Sequence, residues 1–398
     1  RLNSFLTGHQ ATDWRMFSDN GQAVNYLSEL SANSFLHTGV GYWFIRKGTL
    51  NIPTYRMTMP PLDSTAMFSI PLHSGWNIIG VPFDQSIPWQ AVIAANNLPA
   101  NTGVFGFNGS YAQSQSLAPF TGYYYFNTLN SGSLRLPYPF GISVSPAVQL
   151  QTEWAAQIAY SSDYNKDEEN FIGIGSTMKA GTESTFNQHK PPFFQDLGLL
   201  YFEHPEWDNT FSRFSTDIRP SLGEGQAWNF EVSNPRKSKS TLEFRGLDSI
   251  PARAEVVLIN LDNSTPVDLR KAPKYTYQQV APKMQFRILV GSKEFVQKQV
   301  KTLLPSTFAL EQNYPNPFNL STSISVLLPQ SQKVRLDIYS VLGQHVKTLV
   351  DDQLSAGIHT YIWDARDASG EVVASGVYFY RLSNGSNVVL SKKMLLLK

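Results

Sequence analysis

Cysteine is absent from this chain of 398 residues. That excludes disulfides, thiol nucleophiles and thiolate metal sites. Charge is scarce too. Asp, Glu, Lys and Arg make up 16% of the residues, against about 25% in an average soluble protein. The formal net charge of +1 offers no field for nucleic acid or an anionic membrane. No apolar run approaches the roughly 18 residues of a membrane span. The opening RLNSFLTGHQ has no basic, apolar and small-residue succession, so it does not read as a signal peptide. Histidine occurs 7 times, never as H-E-x-x-H. No G-x-S-x-G elbow, P-loop or dinucleotide fingerprint occurs either. The expectation is a chain that is not an enzyme.

What the chain has is aromatic surface to bury: 25 Phe, 18 Tyr and 8 Trp. Part of it lies in an internal repeat. FSDNG from Phe17 leads to GYWFIRKGTLNIP (41–53), and FGFNG from Phe105 leads to GYYYFNTLNSGSLRLP (122–137). Asn-Gly flanked by aromatics is a hairpin signal, since both residues tolerate positive φ. The second copy also has a front half. It starts at MFSIPLHSGWNIIGVPF (67–83) and continues into a short helix capped by Ser86, with Pro88 in its first turn. The first copy has no room for this front half, so the chain reads as starting inside a repeat. Residues 1–62 are then a partial β-repeat and residues 63–145 a complete one.

Residues 146–300 carry strand-like runs separated by turns, which predicts a β-sandwich. Leu242 and Phe244 alternate with Glu243 and Arg245, the period of a half-buried strand. The connection from Asp163 to Pro192 is long and polar. Within it, Asp163, Asn165 and Asp167 open like a calcium loop. Glu168 replaces the glycine such a loop needs, and Ile174 stands where its last acid belongs. A solvated acidic loop is therefore the favoured reading, with calcium as the alternative and no other cofactor expected. Glu203, His204, Glu206 and Asp208 surround Pro205 and Trp207, but EHPEWDN reads as a turn and not as a metal or catalytic site. The strings Tyr42–Phe44 and Tyr123–Phe126 invite a glycan-binding reading. A continuous aromatic strand is more often buried on both faces, and Trp14, Trp76, Trp89 and Trp228 read as core anchors.

The end of the chain is the most specific part. It contains Tyr314, Pro315, Asn316, Pro317 and Phe318 (YPNPF), an IYSVLG turn at Gly343, and WDARDASG with Trp363 and Asp364. SGVYFYRL with Gly376 and Tyr378 follows, then a basic-apolar terminus with Lys392 and Lys393. In this order the elements resemble the C-terminal sorting domain of proteins exported by the type IX secretion system of Bacteroidetes and related phyla. The resemblance implies an immunoglobulin-like fold related to a flagellar hook-cap module. It also implies contact with the secretion machinery, export across the outer membrane of a Gram-negative bacterium, and a location at the cell surface or beyond. Val334, Leu336 and Ile338 alternate with Arg335, Asp337 and Tyr339, and seven strand-like runs can be counted, EVVAS (371–375) among them. Residues 301–306 read as a linker into this domain, 307–398.

The chain is thus expected to be all-β and multi-domain, built of β-sandwich modules and ending in a seven-stranded Ig-like domain. Its expected function is that of a non-catalytic subunit of an extracellular filament, sheath or surface layer. It would associate with itself or with other surface proteins through β-strand complementation. The alternatives are an accessory region of a larger secreted hydrolase, or a carbohydrate-binding or adhesion module.

Overall fold

The computed structural model describes residues 2, 6, 8–23, 25–49, 60–140, 152–175, 178–179, 183–192, 197–384 and 389–397. It is dominated by β-strands, arranged in several sheets. The chain forms two compact units. One comprises Arg1–Ser221, Phe230–Ile250 and Lys274–Lys283; the other comprises Leu222–Asn229, Pro251–Pro273 and Met284–Lys398.

The first unit opens with the repeat. Strands run in the order Leu27–Glu29, Trp14–Asp19, Trp43–Arg46 in one sheet, and Gly75–Gly80, Gly122–Asn127, Val104–Phe107, Tyr111–Gln113 in the next. The registers coincide. Phe17 sits opposite Trp43 and Glu29, as Phe105 sits opposite Tyr124 and Gln113. Three strands therefore correspond pair by pair. Gly75–Gly80 has no counterpart among the described residues. The second Asn-Gly turn behaves as read. A Cβ at Gly109 would meet nothing within 4 Å, so its φ of +105° alone demands the glycine.

The aromatic strings go inside. Tyr123 and Tyr125 join Ile79, Val104 and the helix residues Trp89, Val92 and Ile93 in one cluster. Tyr124 joins Trp76, Ile78, Phe105 and Tyr111 in a second, on the other face, where Trp43 packs. The helix is Trp89–Asn96, and Ser86 does not cap it. Ile87–Pro88 instead pairs with Ser116–Leu117, which delays the helix until Trp89.

A further sheet of the same unit runs Thr216–Arg219, Phe171–Gly175, Thr152–Ser162, Lys239–Arg245, Lys274–Gln278, and Lys166–Asp167 also pairs with Thr152–Ser162. The expected long connection after Asp163 is thus interrupted by strand. The apolar FIGIG run (171–175) pairs on both sides, with Thr152–Ser162 and, in parallel, with Thr216–Arg219. Leu242 and Phe244 are buried as their alternation required. Leu199–Glu203 pairs with Arg213–Phe214 and with the end of Gly225–Ser233.

In the second unit, Glu255–Asn260 lies between Thr265–Asp268 and Lys283–Gly291. A helix, Lys293–Leu303, follows and takes up the first half of the expected linker 301–306. Ser292 caps it, its hydroxyl accepting from Phe295 N at 3.2 Å. Val296, Val300 and Leu303 recur at helical spacing and pack on Ile259 and Leu289. Short length and a polar outer face hide this helix among strand-like neighbours.

The C-terminal part is a sandwich of a three-stranded sheet (Ala309–Leu310, Thr322–Leu328, Gly357–Trp363) and a four-stranded sheet (His345–Leu354, Gln332–Ser340, Gly376–Asn384, Val389–Leu396). The strand count matches the expectation, with one member different. EVVAS is not a strand and makes only an isolated bridge, Arg366 to Val372. Ala309–Leu310 takes the place. Val334, Leu336 and Ile338 line the core with Ile324, Val326, Trp363 and Tyr380.

Gly173 tests the packing of the first unit. A Cβ there would lie 2.5 Å from the Trp154 carbonyl oxygen and 3.1 Å from Ala155 Cα. Gly173→Ala is expected to cost about 1–3 kcal/mol, as an overpacked core does. The readout is a lower urea midpoint of the full chain with an unchanged m-value.

Candidate functional site

The motif residues of the C-terminal domain converge on one structural task. Asn313, buried, donates from Nδ2 to the Pro315 carbonyl at 3.1 Å and to Thr322 Oγ1 at 3.0 Å. Its backbone N–H donates to the Tyr380 hydroxyl at 2.9 Å, which in turn donates to the Glu311 carbonyl at 2.8 Å. Asn316 Oδ1 accepts from Leu395 N at 3.0 Å. Phe318 N donates to the Leu395 carbonyl at 3.0 Å, and Leu397 N donates to the Phe318 carbonyl at 2.9 Å. YPNPF thus pins the last strand of the chain to the start of the domain. Pro315 and Pro317 both follow cis peptide bonds. Tyr314 is 81% exposed and takes no part in the core.

Trp363 fills the centre. Its ring meets Tyr378 at 5.1 Å and Phe318 at 5.7 Å, and its Nε1 donates to the Arg366 carbonyl at 2.9 Å. Asp364 lies outside, paired to Lys347 at 3.0 Å. Asp367 Oδ1 accepts from the backbone N–H groups of Ser369 and Glu371 and from the Ser369 hydroxyl, which lowers its pKa and shapes the turn. Gly343 (φ +78°) closes the hairpin whose tip exposes Val341 and Leu342. Gly376 begins the strand that carries Tyr378 inward, and Tyr378 donates to the Ala374 carbonyl at 2.8 Å. Lys392 and Lys393 lie on the final strand opposite Tyr380 and Phe379, with Lys393 exposed.

The acidic loop, favoured as solvated with calcium as the alternative, meets a lysine of the chain itself. Asp167 does not point outward with Asp163 and Asn165. Its carboxylate accepts from Lys190 Nζ at 2.7 Å and from Leu200 N at 2.9 Å. Asn165 uses its side chain on Gly198, donating to the carbonyl at 2.7 Å and accepting from the N–H at 2.9 Å. Asp163 remains exposed. The three side chains therefore do not form the predicted ligand set. Among the described residues no three His, Cys, Asp or Glu side chains gather as a metal site.

EHPEWDN is a turn, as read, but a histidine bridge runs through it. His204 Nδ1 is 2.7 Å from Glu206 and Nε2 is 3.0 Å from Asp217, while its ring stacks on Trp207 at 3.6 Å. Asp217, fully buried, also accepts two bonds from Arg219 at 2.9 Å. Burial opposes the charge on His204, but Asp217 and Glu206 outweigh it and raise its pKa. His189 is the contrary case. It stacks on Phe126 at 3.7 Å, and burial lowers its pKa despite Asp208 at 3.3 Å. Asp217, Asp208 and Lys190 each lie far along the chain from these partners, beyond any local motif.

Of the aromatic strings, Tyr123–Tyr125 are buried, whereas Tyr42, Trp43, Phe44 and Phe126 are half-buried. Tyr124 is buried and its hydroxyl accepts from Trp43 Nε1. Tyr26 and Tyr111 both donate to the Pro192 carbonyl.

Residues 319–387 match the FlgD Ig-like domain family. No curated protein matches the chain. Among solved structures it is similar to PorZ, an essential surface component of the type IX secretion system of Porphyromonas gingivalis, at 17% identity over 28% of this chain and 14% of that one, with a TM-score of 0.18. It is also similar to dimeric latent PorU of Porphyromonas gingivalis, at 11% identity over 61% and 29%, with a TM-score of 0.21. Pseudomonas fluorescens alkylpurine DNA glycosylase AlkC aligns at 18% identity over 25% and 33%, with a TM-score of 0.16. The chain spans a third or less of each of those proteins. Such TM-scores carry no shared activity or partner.

The His204 bridge has a pH signature. A pKa raised by folding stabilises fully below the unfolded value, about 6.5, and that contribution fades as pH rises through the folded value. The denaturation midpoint of the full chain should exceed that of His204→Gln most at low pH. The difference should shrink as pH rises through neutrality. A difference that grows with pH would contradict the bridge.

Proposed function

We propose that the chain is a non-catalytic, secreted surface protein whose C-terminal Ig-like domain directs export through the type IX secretion system. The observation that carries this is the closure of that domain. The motif residues that resemble the sorting family build one sandwich and lock its final strand with YPNPF. Lys393 and the apolar tip Val341–Leu342 remain on the outside for a partner to read.

The rest of the chain serves architecture in this proposal, as part of an extracellular filament, sheath or surface layer. Three strands of the first sheet match three of the four in the second, register for register. Strand addition from another copy, equivalent to Gly75–Gly80, is the assembly mode that this correspondence favours. Such addition runs head to tail and builds fibres rather than closed rings. Electron microscopy of native secreted material should show ordered filaments or sheets. Isolated particles at high concentration would sink the architectural part.

The export part has its own test. A reporter carrying a signal peptide and residues 307–398 is expected to leave a bacterium that has the type IX machinery. Trp363→Ala removes a core ring worth about 3–5 kcal/mol and should retain the reporter inside. Lys392→Glu with Lys393→Glu should leave the fold intact and lower export. Equal export of all three would contradict the reading.

A further inference from the structure

The buried cluster at Lys190 holds the parts of a covalent cross-link. Lys190 Nζ lies 2.6 Å from Asn170 Oδ1 and 2.7 Å from Asp167 Oδ1. All three side chains are out of contact with water: Lys190 is 4% exposed, Asp167 1% and Asn170 0%. One C=O bond beyond Oδ1, the carboxamide carbon of Asn170 can be at most about 3.8 Å from the amine nitrogen. The carboxamide cannot swing away, because its Nδ2 donates to the Ile158 carbonyl at 3.2 Å and to the Asp167 carbonyl at 3.0 Å. Lys190 is fixed at its backbone too, its N–H donating to the Arg213 carbonyl at 2.8 Å.

We propose that Lys190 and Asn170 join through an intramolecular isopeptide bond, with Asp167 as the proton carrier. The amine nitrogen attacks Cγ of Asn170, and the Nζ–Cγ bond forms. Asp167 takes a proton from that nitrogen and passes it to the departing Nδ2. The Cγ–Nδ2 bond breaks and ammonia leaves. An amine and a primary carboxamide become a secondary amide and ammonia, with nothing oxidised or reduced. The second oxygen of Asp167 is held by Leu200 N at 2.9 Å, which aims the first at the amine.

The surroundings favour this chemistry over a plain ion pair. An amine nucleophile must be neutral, and desolvation is the means by which proteins make it so. Burial lowers the Lys190 pKa against the pull of Asp167. Burial also raises the pKa of the neighbouring Glu169 carboxyl, against the pull of Lys190. The product would close a loop between residues 20 apart in sequence. That gives a chain without cysteine the same kind of constraint as a disulfide.

The test is the intact mass of the folded full chain. The expected mass is lower than the sequence mass by one ammonia, with a protease-derived branched peptide joining Asn170 to Lys190. The full sequence mass in folded protein would overturn the proposal, whatever the variants do. Lys190→Met should restore the full mass, and Asp167→Ala should leave the two peptides separable. Asn170→Asp should lose one water in place of one ammonia. A branched peptide that persists in Lys190→Met would also overturn the assignment.

Discussion

The buried Lys190 side chain draws together several segments of the first unit. Burying a polar group without hydrogen-bond partners is costly, and the chain answers with Asp167 at 2.7 Å and Asn170 at 2.6 Å. Backbone fixes the other end of each group: Leu200 N donates to the second Asp167 oxygen, and Asn170 Nδ2 donates to the Ile158 carbonyl. The cluster therefore fastens the segment around Lys190 to strands Thr152–Ser162 and Leu199–Glu203. A buried polar set that is only partly satisfied is costly, so every member is needed once one is present.

The same segment is fastened at the residues on either side. His189 lies against Phe126 at 3.7 Å and Phe214 at 4.4 Å, with Asp208 on its Nε2. The Pro192 carbonyl receives the hydroxyls of Tyr26 and Tyr111. Asn187 accepts from Ile218 N at 2.7 Å. A stretch read from sequence as a polar connection is thus where repeat and sandwich residues of this unit share their polar and aromatic contacts. Tyr111 and Tyr26 reach this segment through their hydroxyls, and the Tyr124 hydroxyl meets that of Tyr26 and the Trp43 indole beside them.

Legibility in the sequence followed the range of the interaction. Alternation placed Leu242, Phe244, Val334, Leu336 and Ile338 correctly, because period and burial are local properties of a strand. The repeat is legible through Phe17 and Phe105, each opposite the second aromatic of a Gly-aromatic-aromatic string, although the hairpin loops that follow them differ in length. The helix Lys293–Leu303 was missed, since a short amphipathic run beside strand-like neighbours has no local contrast. EVVAS was misread because apolar content alone does not pair a strand. The Asp167 carboxylate was read with Asp163 and Asn165, its neighbours in sequence. Its partner is Lys190, 23 residues away, and no spacing rule joins those two. His204 and Asp217, 13 residues apart, are the same kind of case.

The C-terminal domain shows what a dispersed motif means physically. YPNPF stands near its beginning and the basic-apolar strand at its end, yet Asn316, Phe318, Leu395 and Leu397 share hydrogen bonds. Neither segment has its structure without the other, because the final strand is an edge whose outward groups are satisfied by the first segment. Gln312 adds to this, its side-chain amide donating to the Lys393 carbonyl at 2.9 Å. The terminus is therefore held as a strand of a closed sandwich, with Lys393 directed outward by the alternation that turns Met394 inward. A partner that reads this end meets a shaped surface that exists only after folding. In the proposed export role, recognition would therefore depend on completion of the fold, and a chain whose core is damaged at Trp363 would lack the surface as well as the stability.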